Sequence, residues 1–338
     1  MSGVEAMCLL IPLFLVGAGL VYGTFFGNAQ ANEESDALIA KKKWPEAVIV
    51  LRAIVTQNPH DTSAQVDLAR ALIYQGRREE ALNAINTAIR TEKGTKRDWL
   101  IQQSRVFSKI FVSNETFQNY QDGLNLMMIQ KYHQAREKFE KALAAESSNV
   151  EVLTRIGQSY LLDGDHDSAA EQLKLAHSLD PYEPEISLWL GRALHLRGEL
   201  GEGIAELKAG YSEMKGSEIA PIWVADALEA AGQKAQALQV LEEDSKNYPL
   251  HVMSLVNAAK LKTQMSEHNS EVLWAARRDY QNALSRLSDY MAVDRLKSEG
   301  ELGLDYPVDG KELREDIQSN LQKLQGKLDE LQAPADQT

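Results

Sequence analysis

Across residues 150–184 (VEVLTRIGQSYLLDGDHDSAAEQLKLAHSLDPYEP) apolar side chains recur at helical spacing in two blocks, separated by a polar turn. Gly157 and Ala169 fall where two such helices must touch, Ala176 keeps the second one slim, and Tyr160 and Leu173 fill the space around those contacts. Gly164 suits the left-handed residue that closes a helix, Asp165 or Asp167 can cap the next, and Pro181 ends it. The pattern predicts one helical hairpin.

The same skeleton recurs along the chain. A first, partial unit has a short helix near residues 35–40 and a second helix opened by Pro45-Glu46-Ala47, with Leu51 and Ile54 inward. The second unit, residues 62–95, carries Leu68, Ala69 and Leu72, then Gly76 at the turn, then Ala81, Ile85 and Ala88. About 20 residues rich in large apolar groups (Trp99, Leu100, Val106, Phe107, Ile110, Phe111) then break the period and predict an inserted or extended helix. A third unit from Thr116 has Gly123, Leu126, Ala135, Phe139 and Ala142, with Gln130 where the turn glycine belongs. The hairpin described above is the fourth. The fifth keeps Gly191, Leu194, Gly198 and Leu207, but Gly203 and Gly210 replace alanines. Each should cost about 1 kcal/mol of helix propensity, so this hairpin is expected to be the loosest. The sixth has Ala225, Leu228, Gly232, Ala237 and Leu241.

Past Leu250 the match fades through helices near 252–264 and 270–297 and a Gly/Pro-containing link at 303–307. A last amphipathic helix carries Leu313, Ile317, Leu321, Leu324, Leu328 and Leu331. From Ile317 its spacing of four, three, four and three suits either a cap on the end of the array or a short coiled-coil seam giving a weak dimer.

From about residue 35 to 250 this arrangement resembles the tetratricopeptide repeat, a helix-turn-helix unit of 34 residues. The resemblance implies an all-α, right-handed α-α solenoid of about six hairpins with C-terminal capping helices. The expected organisation is a signal peptide or membrane anchor at 1–31 and the solenoid at 32–250, with its extra helix near 96–114. A helical region at 251–332 and a disordered tail at 333–338 follow. The resemblance also implies a concave wall lined by the first helix of each hairpin, where a partner peptide would meet Arg70, Tyr74, Tyr120, Leu124, Met127, Met128, Gln158, Arg192 and His195. Arg70, Leu124 and Gln158 stand where carboxylate-gripping relatives have asparagine, which argues against that mode of binding. Tyr120, Leu124, Met127 and Met128 form either an adaptable apolar anchor or a surface covered by the inserted helix.

Charge and chemistry narrow the function. The formal net charge is -13, and beyond Lys41-Lys42-Lys43 no basic cluster offers itself to phosphate backbones, so neither nucleic acid nor anionic lipid is expected as the primary partner. The single cysteine, Cys8, lies in the apolar N-terminal run, which excludes a disulfide framework or thiolate metal site downstream. No phosphate-binding loop, dinucleotide fingerprint, nucleophile elbow or His-Glu-x-x-His pair occurs. His166 with Asp163, Asp165 and Asp167 reads as turn chemistry, not a metal site. The Asn114-Glu115-Thr116 sequon is short enough to arise by chance. No cofactor is expected.

Residues 7–26 are nearly all apolar and long enough to anchor the chain in a membrane. Ala29-Gln30-Ala31 fits a signal-peptidase site, although no Lys or Arg precedes the run. The expectation is a non-catalytic protein-interaction adaptor of a cell envelope, serving assembly, secretion or biogenesis. It would be periplasmic or exported, or alternatively anchored in the inner membrane. A structural subunit of a membrane complex and a regulatory subunit of a separate enzyme are the other readings. Intact-mass measurement of soluble and membrane fractions tests export: a soluble polypeptide beginning at Asn32 is expected, and full-length chain confined to membranes would refute cleavage.

Overall fold

The computed structural model describes residues 31–266, 269–298 and 310–332. The apolar run at 7–26, the cleavage signal, the 303–307 link and the 333–338 tail lie outside the described residues. Every described element is a helix: α1 (31–40), α2 (Trp44–Gln57), α3 (Thr62–Tyr74), α4 (Arg78–Thr91), α5 (Gly94–Ser108), α6 (Asn114–Met128), α7 (Tyr132–Ala145) and α8 (Val150–Leu162). There follow α9 (His166–Leu179), α10 (Pro184–Leu196), α11 (Leu200–Glu213), α12 (Ile219–Ala230), α13 (Lys234–Asn247), α14 (Val252–Met265), α15 (Ser270–Ser298) and α16 (Gly310–Gln332). The chain is all-α and built of helical hairpins, as expected.

One turn geometry joins the two helices of each hairpin. Its key residue has a positive φ: Lys42, Gly76, Gln130, Gly164, Gly198 and Gly232, each 34 residues after the last except for 54 between Gly76 and Gln130. In every case this residue's N–H and the next one's return to the end of the preceding helix, as in Gly164 N–H to Leu161 O and Asp165 N–H to Tyr160 O. Two otherwise orphaned carbonyls are satisfied, which is why the turn repeats. Glycine adopts this conformation freely, yet Lys42 and Gln130 hold it too. The lysine triplet is thus the turn of a complete first hairpin, and the 20 extra residues between Gly76 and Gln130 are α5 with its flanks.

Seven residues before each turn residue stands a small, buried one: Ser35, Ala69, Gly123, Gly157, Gly191 and Ala225. A Cβ placed on Gly157 would lie 2.5 Å from Leu173 Cγ, and one on Gly123 would lie 2.4 Å from the Phe139 ring. The fifth hairpin goes further. A Cβ on Gly191 would lie 2.6 Å from the backbone N of Leu207, one on Gly203 2.9 Å from that of His195, and one on Gly210 2.8 Å from Pro184 O. The expectation of a loose hairpin is therefore reversed: among the described residues only α10 and α11 meet main chain to main chain across glycines. Those glycines trade helix propensity for close packing.

The chain gathers into two compact units. One comprises the residues up to Gly123, with Arg136–Arg155 and Ser178–Tyr182. In it α2, α3 and α4 pack in succession, burying Leu51, Leu72, Leu82 and Ile85, and α5 packs on α3 and α4 through Leu100 and Phe107. Arg78, almost wholly buried, donates to Phe107 O (2.9 Å), Ile110 O (2.6 Å) and Glu146 Oε2 (2.9 Å). Glu146 Oε1 in turn accepts the backbone N–H groups of Val112 and Ser113 at 2.8 Å each. This ion pair secures the non-helical stretch that follows α5 by meeting three of its backbone groups and one at the end of the helix.

The other unit holds Leu124–Ala135, Ile156–His177 and the chain from Glu183 onward. Leu173, Leu194, Leu207, Trp223 and Leu228 share one core. Beyond it α14 and α15 pair as a further hairpin, with Val256, Ala259, Leu273, Ala276 and Tyr280 buried between them. Buried Asp244 joins the sixth hairpin to this one, accepting Ser254 Oγ–H at 2.6 Å and meeting His251 Nδ1 at 2.9 Å. Leu313, Ile317, Leu324 and Leu328 of α16 complete the second core against α14 and α15. The apolar seam of α16 thus packs within its own chain from Leu313 to Leu328, as a cap requires, and leaves Leu331 exposed.

The glycine contact in the fifth hairpin is open to a direct test. Gly203→Ala is expected to lower stability by about 1 to 3 kcal/mol despite alanine's better helix propensity. Gly201→Ala on the same helix, where a Cβ meets nothing within 4 Å, is the control and should leave the melting temperature level or higher. A Gly203→Ala melt above wild type would show that α10 and α11 do not touch at that point.

Candidate partner-binding surface

The 34-residue register gives successive first helices equivalent positions along the chain. Six positions before each turn residue the series reads Arg70, Leu124, Gln158, Arg192 and Asp226, and two positions before it reads Tyr74, Met128, Leu162, Leu196 and Ala230. Both series lie on first helices, the second being the last residue of each.

In the first unit, Arg70 Nη1 donates to Asp67 Oδ1 at 3.0 Å from one turn earlier on α3. Burial raises the Asp67 pKa, assisted by Asp36 and Asp61, while Arg70 opposes the rise. Tyr74 stacks on Trp44 with ring centroids 4.6 Å apart and keeps one face exposed. Tyr120 is buried. Its ring packs 4.7 Å from Phe111 and 6.0 Å from Phe139, and its hydroxyl donates to Glu151 Oε1 at 2.6 Å. Burial pushes the Tyr120 pKa well up. Burial also works to raise Glu151, but Arg155 and the Tyr120 hydrogen bond outweigh it and hold that carboxyl below its ordinary value. Phe111, from the stretch after α5, thus covers Tyr120.

In the second unit, Leu124 and Gln158 are buried, and Gln158 Nε2 donates to Glu185 Oε1 at 3.0 Å. Met127 is half-buried, whereas Met128 and its neighbour Ile129 are 65 % and 60 % exposed. Arg192 of α10 reaches Asp226 of α12 at 2.5 Å and lies 5.6 Å over the Trp223 ring, which meets Trp189 edge-on. His195 Nδ1 is 3.1 Å from the same guanidinium. Burial, with Arg192 adding to it, lowers the His195 pKa, although Asp226 pulls the other way. His195 is accordingly neutral at neutral pH and accepts from Arg192.

The nine expected contact residues therefore divide. Tyr120, Leu124 and Gln158 are interior; Arg70, Tyr74, Met128, Arg192 and His195 reach the surface to differing degrees, with Met127 between. Of these, Arg192 and His195 are brought together, joined by Trp223 and Asp226. Leu196 and Ile129, both exposed, were absent from the expected set. Leu196 was discoverable, since it occupies the same register as Tyr74 and Met128.

In the fourth hairpin's turn Asp165 caps α9, accepting Ser168 N–H at 3.0 Å, and Asp167 pairs with Arg197 at 3.0 Å. Among the described residues no group of three or more His, Cys, Asp or Glu side chains is placed to hold a metal ion, and no helix is long and apolar enough to cross a membrane.

Hairpins closed by one recurring turn, stacked small residue against large, define a helical-repeat protein. Two family models, each described as tetratricopeptide repeat, match residues 38–100 and 120–184, and over those stretches the chain is a tetratricopeptide-repeat protein. Among solved structures it is similar to MamA, at 19 % identity and a TM-score of 0.43, over 50 % of this chain and 96 % of that one. It is also similar to a tetratricopeptide repeat protein from Parabacteroides merdae, at 15 % identity and a TM-score of 0.40, over 88 % and 98 % of the two chains. Yeast Tom70 is similar at 13 % identity and a TM-score of 0.47, over 87 % of this chain and 60 % of that one. No curated protein sequence matches. By its repeats the chain is a protein-protein interaction adaptor.

Titration tests the Arg192 cluster. His195 should titrate below its ordinary value of 6.5, Asp226→Asn should lower it further and Arg192→Leu should raise it, read from imidazole proton shifts by NMR. Because the folded pKa is depressed, the unfolded chain takes up the proton first, and stability falls as pH drops below about 6.5. A His195 titration unmoved by either variant would break the cluster apart.

Proposed function

We propose that the chain is a non-catalytic adaptor of a cell envelope that holds a peptide or helix of a partner protein on the first-helix wall of its second unit. The exposed apolar edge carries the reading: Met128, half-buried Leu162 and Leu196 repeat at one register beside the Arg192–Asp226 pair. Flexible Met and Leu side chains suit an apolar partner surface, and exposed Asp226 can still accept hydrogen bonds from a partner's basic groups. Arg192 is a weaker anion grip than its charge implies, since a partner carboxylate must displace Asp226. In this reading Tyr120, Leu124 and Gln158 shape the wall from beneath it. Residues 7–26 would anchor or export the adaptor, which supports an envelope location.

Met128→Ser with Leu196→Ser should weaken cross-linked capture of the natural partner more than tenfold, about 1.4 kcal/mol, with the circular dichroism melt unchanged. Gln236→Ala, exposed on α13, is the control and should capture normally. Normal capture by the double variant would place the binding surface elsewhere.

A further inference from the structure

The inserted helix α5 presents a surface that the repeat does not need. Its inner side is firmly held: Leu100, Ser104 and Phe107 are buried, Arg105 Nε donates to Tyr182 O at 3.0 Å, and the Arg97 guanidinium lies 5.6 Å over the Tyr182 ring. The opposite side is open. Trp99, Gln102 and Val106, at spacings of three and four, form one exposed stripe, with Lys96 one turn before Trp99. Trp99 is 41 % and Val106 55 % exposed.

Charge shows what this stripe faces. Of the five basic side chains in residues 93–109, Arg97 and Arg105 are held at Tyr182, which leaves Lys93, Lys96 and Lys109 exposed against one acidic group, Asp98. Residues 1–123 are balanced at 13 basic and 13 acidic groups, so the whole net charge of -13 belongs to residues 124–338, with 23 basic and 36 acidic. The average acidity of the chain conceals this split. An indole and a valine beside Lys93 and Lys96 match the boundary of an anionic bilayer, where the ring sits among headgroups and the ammonium groups reach the phosphates. Where the apolar run at 7–26 is retained it would bring the chain to the same bilayer, while the acidic remainder is repelled by such a surface.

We propose that the Lys96–Trp99–Val106 stripe of α5 is a membrane-surface contact, laying the insertion flat on a bilayer that contains anionic lipid. This goes beyond the adaptor role and uses none of the residues assigned to partner capture.

Residues 7–26 can hold the chain on a vesicle unaided, so the test must resolve the site. In full-length chain carrying Cys8→Ser, Val106→Cys is labelled with an environment-sensitive fluorophore, and Gln239→Cys on α13 is labelled as control. Vesicles are phosphatidylcholine with or without phosphatidylglycerol, containing a spin-labelled quencher lipid. The probe at 106 should shift to the blue and be quenched on phosphatidylglycerol vesicles, while the probe at 239 stays in water. Lys93→Glu with Lys96→Glu should weaken that signal at least about tenfold, and added salt should do likewise. A probe at 106 that stays in water on vesicle-bound chain, or that responds equally without phosphatidylglycerol, overturns the proposal and leaves the stripe to a protein partner. Failure of the chain to bind any vesicle overturns it too.

Discussion

Everything in this molecule depends on how closely the two helices of a hairpin can approach. The small residue seven positions before each left-handed turn sets that distance, and the turn's two hydrogen bonds set the direction in which the chain returns. With both fixed, each hairpin has one low-energy packing, and the next can add to it without a shared central core. The hairpins differ in what the small residue meets. At Gly157 it is a leucine side chain, which can yield; at Gly191 it is the backbone of α11, which cannot.

The insertion shows how a repeat array accepts a foreign helix. Twenty extra residues leave an unpaired stretch of backbone after α5, and buried Arg78 and Glu146 meet it from both sides, one donating and the other accepting. Removing one partner would leave the other charged and buried, a loss of about 3 to 5 kcal/mol in comparable pairs. On its far side α5 is tied by Ser104 and Arg105 to Asp180 and Tyr182, so the helix is an integral part of its unit. Burial raises the Asp180 pKa, and one of its oxygens has no hydrogen-bond partner. The chain retains a costly buried carboxyl at this junction.

The same logic governs the wall of the second unit. Its Arg192 pairs with Asp226 and its Gln158 with Glu185, which leaves the apolar edge and the outer face of Asp226 accessible there. Under the proposed function, recognition in that unit would depend on shape and apolar contact more than on a free charge. Its acidic balance contrasts with the basic insertion, giving the chain two chemically distinct surfaces.

From the amino-acid order alone, the helices, the hairpins, the turn glycines and the inserted helix were all legible, because each is a local matter of period, capping and left-handed backbone. Lys42 and Gln130 hid their turns by lacking glycine, and α15 hid its hairpin by beginning 36 residues after α13 instead of 34. Of the expected contact residues the order could place a side chain on the wall side of its helix, but it could not say what lies above it. Tertiary structure decided that Phe111 covers Tyr120, that Glu185 occupies Gln158, that α16 spends its apolar seam on its own chain, and that Gly203 tightens its hairpin. These depend on contacts between residues far apart in the chain, and the helical period carries no information about them.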